Sequence, residues 1–257
     1  MIGVIGIGFV GKSVINSIKN SDMILTYDRY KKSGSLLRIT EKASIAFICT
    51  PTPTINCVQD TSSIIETLKE MENFNGLIVI KSTIMPGSLK QIIDNYDLNI
   101  IHVPEFLNEH DPFKKPEFYI IGTNEIRFVN EYLSILKDPP QHMITDPVTA
   151  SFIKYVHNCY GALKVTFFNE IYDICQANNV NYRTLLNGLF SINNNIGRQY
   201  TQIAADGKRG FGGHCFPKDV VAFHSEYKNK TLGATIMKNL DYRKEEMEKV
   251  IQPVCAS

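Results

Sequence analysis

The strongest constraint on the fold is a glycine triplet near the start of the chain, Gly6-Ile7-Gly8-Phe9-Val10-Gly11, placed directly after the β-branched run Ile2–Ile5. A strand that runs into glycines at this spacing and then into a helix is the βα turn of a dinucleotide-binding fold. The first glycine permits the tight turn and the second lets a pyrophosphate reach the backbone. The third lets helix and strand pack closely, with the helix N-terminus facing the phosphates. Asp28 ends the second apolar run, 17 residues beyond Gly11, where a carboxylate can accept hydrogen bonds from an adenosine ribose. That favours NAD over NADP, with Arg29 beside it speaking the other way. The competing reading is a glycine-rich turn holding a flavin or no ligand.

The N-terminal half alternates short β-branched runs with helical segments. Strands are expected at Ile2–Ile5, Ile24–Tyr27, Ile45–Cys49, Leu77–Lys81, Ile100–Val103 and Tyr119–Gly122, and helices at Val10–Lys19, Thr61–Glu72, Gly87–Asn95 and Glu125–Leu136. Such alternation implies a mostly parallel sheet with helices on both faces. Pro139 and Pro140 break the pattern before a last strand near Met143–Thr145. From Val148 to about Asn178 the chain reads as one long apolar helix. A Gly-, Asn- and Arg-rich loop follows over Asn193–Gly213, then a helix over Leu232–Ile251. The expectation is an α/β chain, with a Rossmann-type doubly wound sheet over residues 1–146 and an all-helical middle domain over residues 147–257.

Composition excludes several classes. A hydrophobic fraction of 44% with 21% charged residues is that of a soluble globular protein. A formal charge of +1 gives no ground for nucleic acid or an anionic membrane as partner. No run reaches the roughly 20 apolar residues of a membrane span, and the apolar start lacks the basic flank and cleavage site of a signal peptide. The 6 cysteines form no C-x-x-C pair and read as reduced thiols of a cytoplasmic protein. The 6 histidines are scattered singly, so no metal site is expected.

Chemistry points to Gly210-Phe211-Gly212-Gly213-His214-Cys215-Phe216-Pro217-Lys218-Asp219. Three glycines leave backbone bare for a sugar or phosphate. A helix starting near Cys215, with Lys218 or His214 beside it, favours the thiolate. The other five cysteines read as small buried residues. On the long helix, Lys154 and Asn158 are spaced i,i+4 and leave the same face, where together they can donate to an oxygen that becomes negative. On spacing alone, two surface residues are the plainer reading.

Six ordered blocks then resemble the UDP-glucose/GDP-mannose dehydrogenase family. They are Gly6–Gly11, Cys49-Thr50-Pro51-Thr52-Pro53, Lys81-Ser82-Thr83-Ile84-Met85-Pro86-Gly87-Ser88, Pro104-Glu105-Phe106-Leu107-Asn108-Glu109, the helix from Lys154-Tyr155-x-x-Asn158 to Phe168-Asn169-Glu170, and Gly212–Asp219. The resemblance implies a four-electron, metal-free oxidation of the C6 alcohol of a nucleotide sugar, UDP-glucose foremost, to the uronic acid with two NAD. Cys215 would carry the thiohemiacetal and thioester, Lys154 and Asn158 would stabilise oxyanions, and Asp219 would position or deprotonate water. Glu105 and Thr83 would assist proton transfer through water. NAD contacts would fall to Gly6, Gly8, Phe9, Val10, Gly11, Asp28, Thr50, Pro51, Thr83, Glu109 and Lys218. Sugar contacts would fall to Glu105, Phe106, Leu107, Lys154, Asn158 and Gly212. The family's central helix also implies a homodimer, and Val148–Asn178 is apolar enough to need a partner.

The sequence departs from the family in places. Members carry a third, Rossmann-like domain that grips the nucleotide, and Met237–Ile251, with Asn239 and Arg243-Lys244, resembles the helix leading into it, where this chain stops. His214 replaces a small residue and Val103 an asparagine. Asn193-Asn194-Asn195-Ile196-Gly197 stands where the family has D-x-R-I-G, with Arg198 the nearby candidate to substitute. The short stretch between Asp28 and Cys49 implies a reduced βα element. Two other readings stand beside the first: a catalytically weak NAD-binding or scaffold homologue, and a 3-hydroxyacid or 6-phosphogluconate-type dehydrogenase. The latter uses Lys and Asn on its long helix but needs no Cys215.

Overall fold

The runs Ile2–Ile5 (β1), Ile45–Ile48 (β4) and Leu77–Ile80 (β7) carry no polar side chain and are buried along their whole length. Strands apolar on both faces belong inside a sheet covered on both sides. In the computed structural model, which describes residues 1–106, 118–192 and 196–251, they form the middle of such a sheet. In chain order the elements between them are α1 (Phe9–Ser17), β2 (Ile24–Asp28), β3 (Ser33–Gly34), α2 (Leu36–Lys42), the paired β5 (Thr54–Ile55) and β6 (Val58–Gln59), and α3 (Ser62–Glu70). After β7 come α4 (Pro86–Asn95), β8 (Asn99–His102), β9 (Phe118–Gly122), α5 (Ile126–Ser134) and β10 (Gln141–Thr145).

The chain divides into two compact units, Met1–Pro53 with Gln59–Lys154, and Thr54–Val58 with Tyr155–Ser257. The first unit holds one eight-stranded sheet in the order β10-β9-β8-β7-β4-β1-β2-β3. Its pairs are parallel except β2–β3 and β8–β9. Successive side chains of each strand enter opposite layers. Val4, Phe47, Val79 and Ile101 join α1 and α5 residues on one side, while Ile5, Ile48, Ile80 and Ile100 join α2, α3 and α4 residues on the other. The strand order reverses beside β1, which places the β1–α1 loop at the sheet's switch point, where α/β sheets bind ligands. The stretch between Asp28 and Cys49 holds β3 and the seven-residue α2.

The long helix α6 (Pro147–Ala177) starts in the first unit and continues through the second, followed by α7 (Tyr182–Ile192), α8 (Phe216–Tyr227) and α9 (Lys230–Glu248). The core of the second unit gathers Cys159 and Ala162 of α6, Phe211 of the loop before α8, Val220 and Val221 of α8, and Leu232 and Ile236 of α9. Asn229 caps α9 by accepting the Leu232 N–H (3.1 Å), and Arg243 leaves helical geometry (φ −138°, ψ 46°), which kinks that helix. No helix among the described residues is long and apolar enough to cross a membrane.

Candidate active site

In the first unit, the three glycines of the β1–α1 turn are required for different reasons. Gly6 sits at φ +88°, and a Cβ there would lie 2.8 Å from the Cys49 carbonyl oxygen; at Gly11 a Cβ would lie 2.0 Å from the Gly6 carbonyl oxygen. Gly8, the N-cap of α1, has an ordinary extended backbone (φ −82°, ψ −154°), and a Cβ there would meet nothing within 4 Å. Folding therefore demands glycine at positions 6 and 11 but not at 8. A bare position 8 keeps open the approach to the unpaired N–H groups of α1, the place a pyrophosphate takes.

Asp28 braces this loop. Its Oδ2 accepts the Ile7 N–H (2.8 Å) and its Oδ1 those of Tyr30 (3.1 Å) and Lys31 (3.0 Å). Burial pushes its pKa up, but the Lys31 and Ile7 N–H groups and the Lys31 charge outweigh that, and it lies below the usual carboxylate value. A carboxylate offers about four acceptor sites, so ribose hydroxyls can still bind. The Arg29 guanidinium is paired with Glu66 and Glu70 of α3, so this cation is already engaged and not held out for a 2′-phosphate. The residues present fit NAD.

Further along the sheet edge, Lys81 and Glu105 form a buried ion pair (Nζ–Oε2 3.1 Å, side chains 1% and 8% exposed) with the ammonium 4.9 Å from the Tyr119 ring centre. Burial drives the Lys81 pKa down, yet the Glu105 charge wins and raises it. Glu105 Oε1 accepts the Phe106 N–H (3.0 Å), and the Phe106 ring lies 5.0 Å from Lys154 Nζ. Burial pushes the Cys49 thiol up to about 12, which leaves it inert at neutral pH. The Thr83 carbonyl accepts from Thr52 Oγ1 (2.7 Å) and Gln59 Nε2 (3.1 Å), Pro51 is exposed, and the buried Thr50 hydroxyl has no partner among the described residues. Leu107 and Glu109 lie outside the described residues.

In the second unit, Cys215 is the N-cap of α8, and its carbonyl accepts the Asp219 N–H (3.0 Å). It is half-buried, whereas the free thiols of Cys49, Cys159 and Cys175 are buried. A helix N-terminus is in general a place that favours a thiolate. Asp219 is 1% exposed. Its Oδ2 accepts from Asn158 Nδ2 (2.6 Å) and its Oδ1 from Lys218 Nζ (2.5 Å). Lys218 thus points its charge at Asp219. Cys159 is pushed up to about 12 by burial and then by the Asp219 charge. Lys154 and Asn158 are both buried, against the plainer reading of an exposed pair.

The bare backbone of the cysteine loop is used in part by the protein itself. A Cβ at Gly210 would lie 2.3 Å from Asn239 Oδ1, and one at Gly212 would lie 2.1 Å from an Arg243 guanidinium nitrogen. Asn239 accepts from Phe211 N (2.8 Å) and donates to Phe211 O (2.9 Å), while Arg243 donates to the carbonyls of Arg209 (2.8 Å) and Lys208 (3.0 Å). Arg209 reaches Asn169 and Asp173 of α6. Sequence reasoning placed Asn239 and Arg243 on a connecting helix; their i,i+4 spacing was the one available signal that they share a face. One expectation is corrected. Cys57 is disulfide-bonded, so the cysteines are not all reduced thiols, and no spacing in the sequence marked it. Cys255 lies outside the described residues.

Residues 23–135 match the NAD binding domain of the UDP-glucose/GDP-mannose dehydrogenase family, and residues 148–243 match that family's central domain. Over 180 residues the chain is 33% identical to a UDP-glucose 6-dehydrogenase of Rickettsia prowazekii (strain Madrid E), covering 65% of this chain and 40% of the relative. Over 223 residues it is 30% identical to that of Campylobacter jejuni, covering 81% and 56%. The chain thus spans about half the length of the curated relatives it matches. Among solved structures, a UDP-glucose dehydrogenase from Pyrobaculum islandicum shares the fold with a TM-score of 0.78 at 21% identity, over 93% of this chain and 67% of that one. Psf3, solved in complex with NADP+ and 2-OPP, shares it with a TM-score of 0.68 at 12% identity, over 97% and 99%.

Proposed function

This chain belongs to the UDP-glucose/GDP-mannose dehydrogenase family, and from that premise we propose that it oxidises the C6 alcohol of a nucleotide sugar, UDP-glucose foremost, to the uronic acid. Its cofactor is NAD. When bound, NAD supplies the hydride acceptor for each of the two oxidation steps. Gly8, Asp28 and the N-terminus of α1 are the residues to hold it.

The observation that carries the reading is the arrangement at Cys215: a half-buried thiol at a helix N-terminus, with a buried Asp219 one turn on, held by Asn158 and Lys218. After the first oxidation, the Cys215 thiolate adds to the aldehyde carbon and the carbonyl oxygen becomes negative. Lys154 and the second N–H of Asn158, one helical turn apart on α6, are the donors for that oxygen. Loss of the second hydride leaves a thioester on Cys215. Water then attacks the acyl carbon, Asp219 orients it and takes up its proton, and the C–S bond breaks to return the thiolate. Glu105, which Lys81 and the Phe106 N–H hold in position, is the group this reading assigns to proton transfer in the alcohol step.

The reading includes a homodimer. Val156, Tyr160, Phe167 and Ile174 recur along α6 at spacings of four and seven, each more than half exposed, an apolar face interrupted by Glu170. A second copy of the chain is the occupant proposed for it, which light scattering tests by mass.

The deciding experiment incubates the purified chain with NAD and a panel of UDP- and GDP-sugars. Two NADH per sugar are expected. With Cys215→Ser, an ester should accumulate on the protein and show by mass, because an alkoxide leaves more slowly than a thiolate. Equal turnover by wild type and the Cys215 variants would defeat the thioester route, and no NADH with any donor would defeat the reading altogether.

A further inference from the structure

We infer that His157 is a positioning residue, fixing the Asn158 amide through a directed hydrogen-bond chain that runs from His157 through Asn158 to Asp219. The inference rests on the proposed roles of Asn158 and Asp219 and adds a residue that neither spacing nor motif singled out.

The direction of the chain follows from its far end. Asp219 Oδ1 lies 2.5 Å from Lys218 Nζ, so this carboxylate is ion-paired and only accepts. Its Oδ2 lies 2.6 Å from Asn158, which must therefore present its NH2 group there. The Asn158 Oδ1 is then turned the other way, 3.0 Å from His157 Nδ1. An amide oxygen is also purely an acceptor, so the hydrogen sits on His157 Nδ1. That is the minor tautomer of a free neutral imidazole, and the hydrogen bond at Nδ1 is what selects it.

The consequence is at Asn158 Nδ2, which carries two hydrogens. One goes to Asp219, and the other is the donor the proposed reaction needs for its oxyanion. Each bond in such a chain polarises the next, so a donor on the amide oxygen strengthens the free N–H at the other end. It also holds the amide against rotation. Residues i and i+1 on a helix do not ordinarily face each other, which is why His157 beside Asn158 carries no signal in the sequence.

The test uses the whole chain labelled with nitrogen-15 in histidine and asparagine. At about pH 9, where an ordinary imidazole is neutral, two-bond proton–nitrogen couplings distinguish the tautomers, and His157 should show hydrogen on Nδ1. His157→Ala should shift the Asn158 side-chain N–H signals toward those of a free amide, and His157→Asn, whose Nδ2 can take the place of Nδ1, should restore them. In turnover, His157→Ala should lower kcat by about 2- to 10-fold with KM unchanged, again restored by His157→Asn. An Nε2–H tautomer, or Asn158 signals indifferent to His157→Ala, overturns the inference. The spectral arms need no turnover. An inactive chain with the Nδ1–H tautomer therefore defeats the proposed reaction while supporting the hydrogen-bond chain, and an active chain with the Nε2–H tautomer does the reverse.

Discussion

Asn158 donates its amide to Asp219 across 2.6 Å, a bond between residues 61 apart in sequence that ties α6 to the first turn of α8. Asp219 is thereby a structural anion: it balances Lys218, and its backbone N–H closes the turn on the Cys215 carbonyl. Asp219→Asn keeps the shape and removes the charge. Lys218 then faces a neutral group, and one of the two amides at positions 158 and 219 must turn. Breaking a buried ion pair from one side costs about 3–5 kcal/mol, and Lys218 is a fifth exposed, so the lower end is expected. Urea unfolding should show this loss while calorimetry shows NAD binding unchanged. Undiminished stability would remove Asp219 from this role.

The glycine turn makes a prediction in which the two halves move oppositely. Gly8→Val sets its Cβ where nothing lies within 4 Å and has no positive φ to strain, so the melting temperature should stay within a few degrees, yet the side chain blocks the approach to α1 and NAD binding should fall below detection. Gly11→Ala drives a methyl onto the Gly6 carbonyl, so α1 must move off β1 and stability should drop by about 1–3 kcal/mol. Thermal melts with calorimetry for both variants decide it. Retained NAD affinity in Gly8→Val would move the cofactor elsewhere.

What could be read from the sequence had a period or a local rule behind it. The buried four-residue runs of β1, β4 and β7 announce a covered parallel sheet, and the Gly6–Gly11 spacing names the turn that follows. The pair β5–β6 could not be seen, because two-residue strands have no period and their turn depends on Asn56 and Cys57 taking positive φ. Spacing put Lys154 and Asn158 on one face of a helix but could not say that the face is buried. Lys81 and Glu105 stand in two separate blocks of the sequence, and nothing in either block says that the two charges pair. Only the ends of adjacent strands β7 and β8 bring them together.

His102 should make the first unit acid-sensitive. Burial above all, with the Lys81 charge, pushes its imidazole down to about 3 from 6.5, although the Ile80 carbonyl accepts from Nδ1 (3.2 Å). Above pH 6.5 neither folded nor unfolded chain protonates it. Between 6.5 and about 3 the unfolded chain takes up a proton that the folded one refuses, so stability falls with falling pH. One proton corresponds to about 1.4 kcal/mol per pH unit. His102→Leu should remove that share of the slope between pH 6 and pH 4 in urea titrations. Parallel curves for the two proteins would show that His102 does not titrate as described.

Arg243 tests whether the cysteine loop is held from behind. Its guanidinium, nearly wholly buried, donates to the carbonyls of Arg209 and Lys208, pairs with Asp206 and Glu246, and occupies the space that a side chain at Gly212 would need. A planar fork with five N–H groups can satisfy these acceptors at once; an ammonium on a flexible stem cannot. Arg243→Lys therefore keeps the charge and loses most of the hydrogen bonds, and should destabilise the second unit by about 2–4 kcal/mol. Asn239, paired to Phe211 from one turn earlier on α9, remains to hold the middle of the loop, so the unit should still fold. The loop's exit toward Cys215 should loosen. Because Cys215 is half-buried while Cys49, Cys159 and Cys175 are buried, iodoacetamide labelling read on the Cys215 peptide by mass reports on this loop. Labelling of Cys215 in Arg243→Lys should be several-fold faster than in wild type under conditions where both are folded. If the rate is unchanged while stability falls, Arg243 supports the helix packing but does not position Cys215.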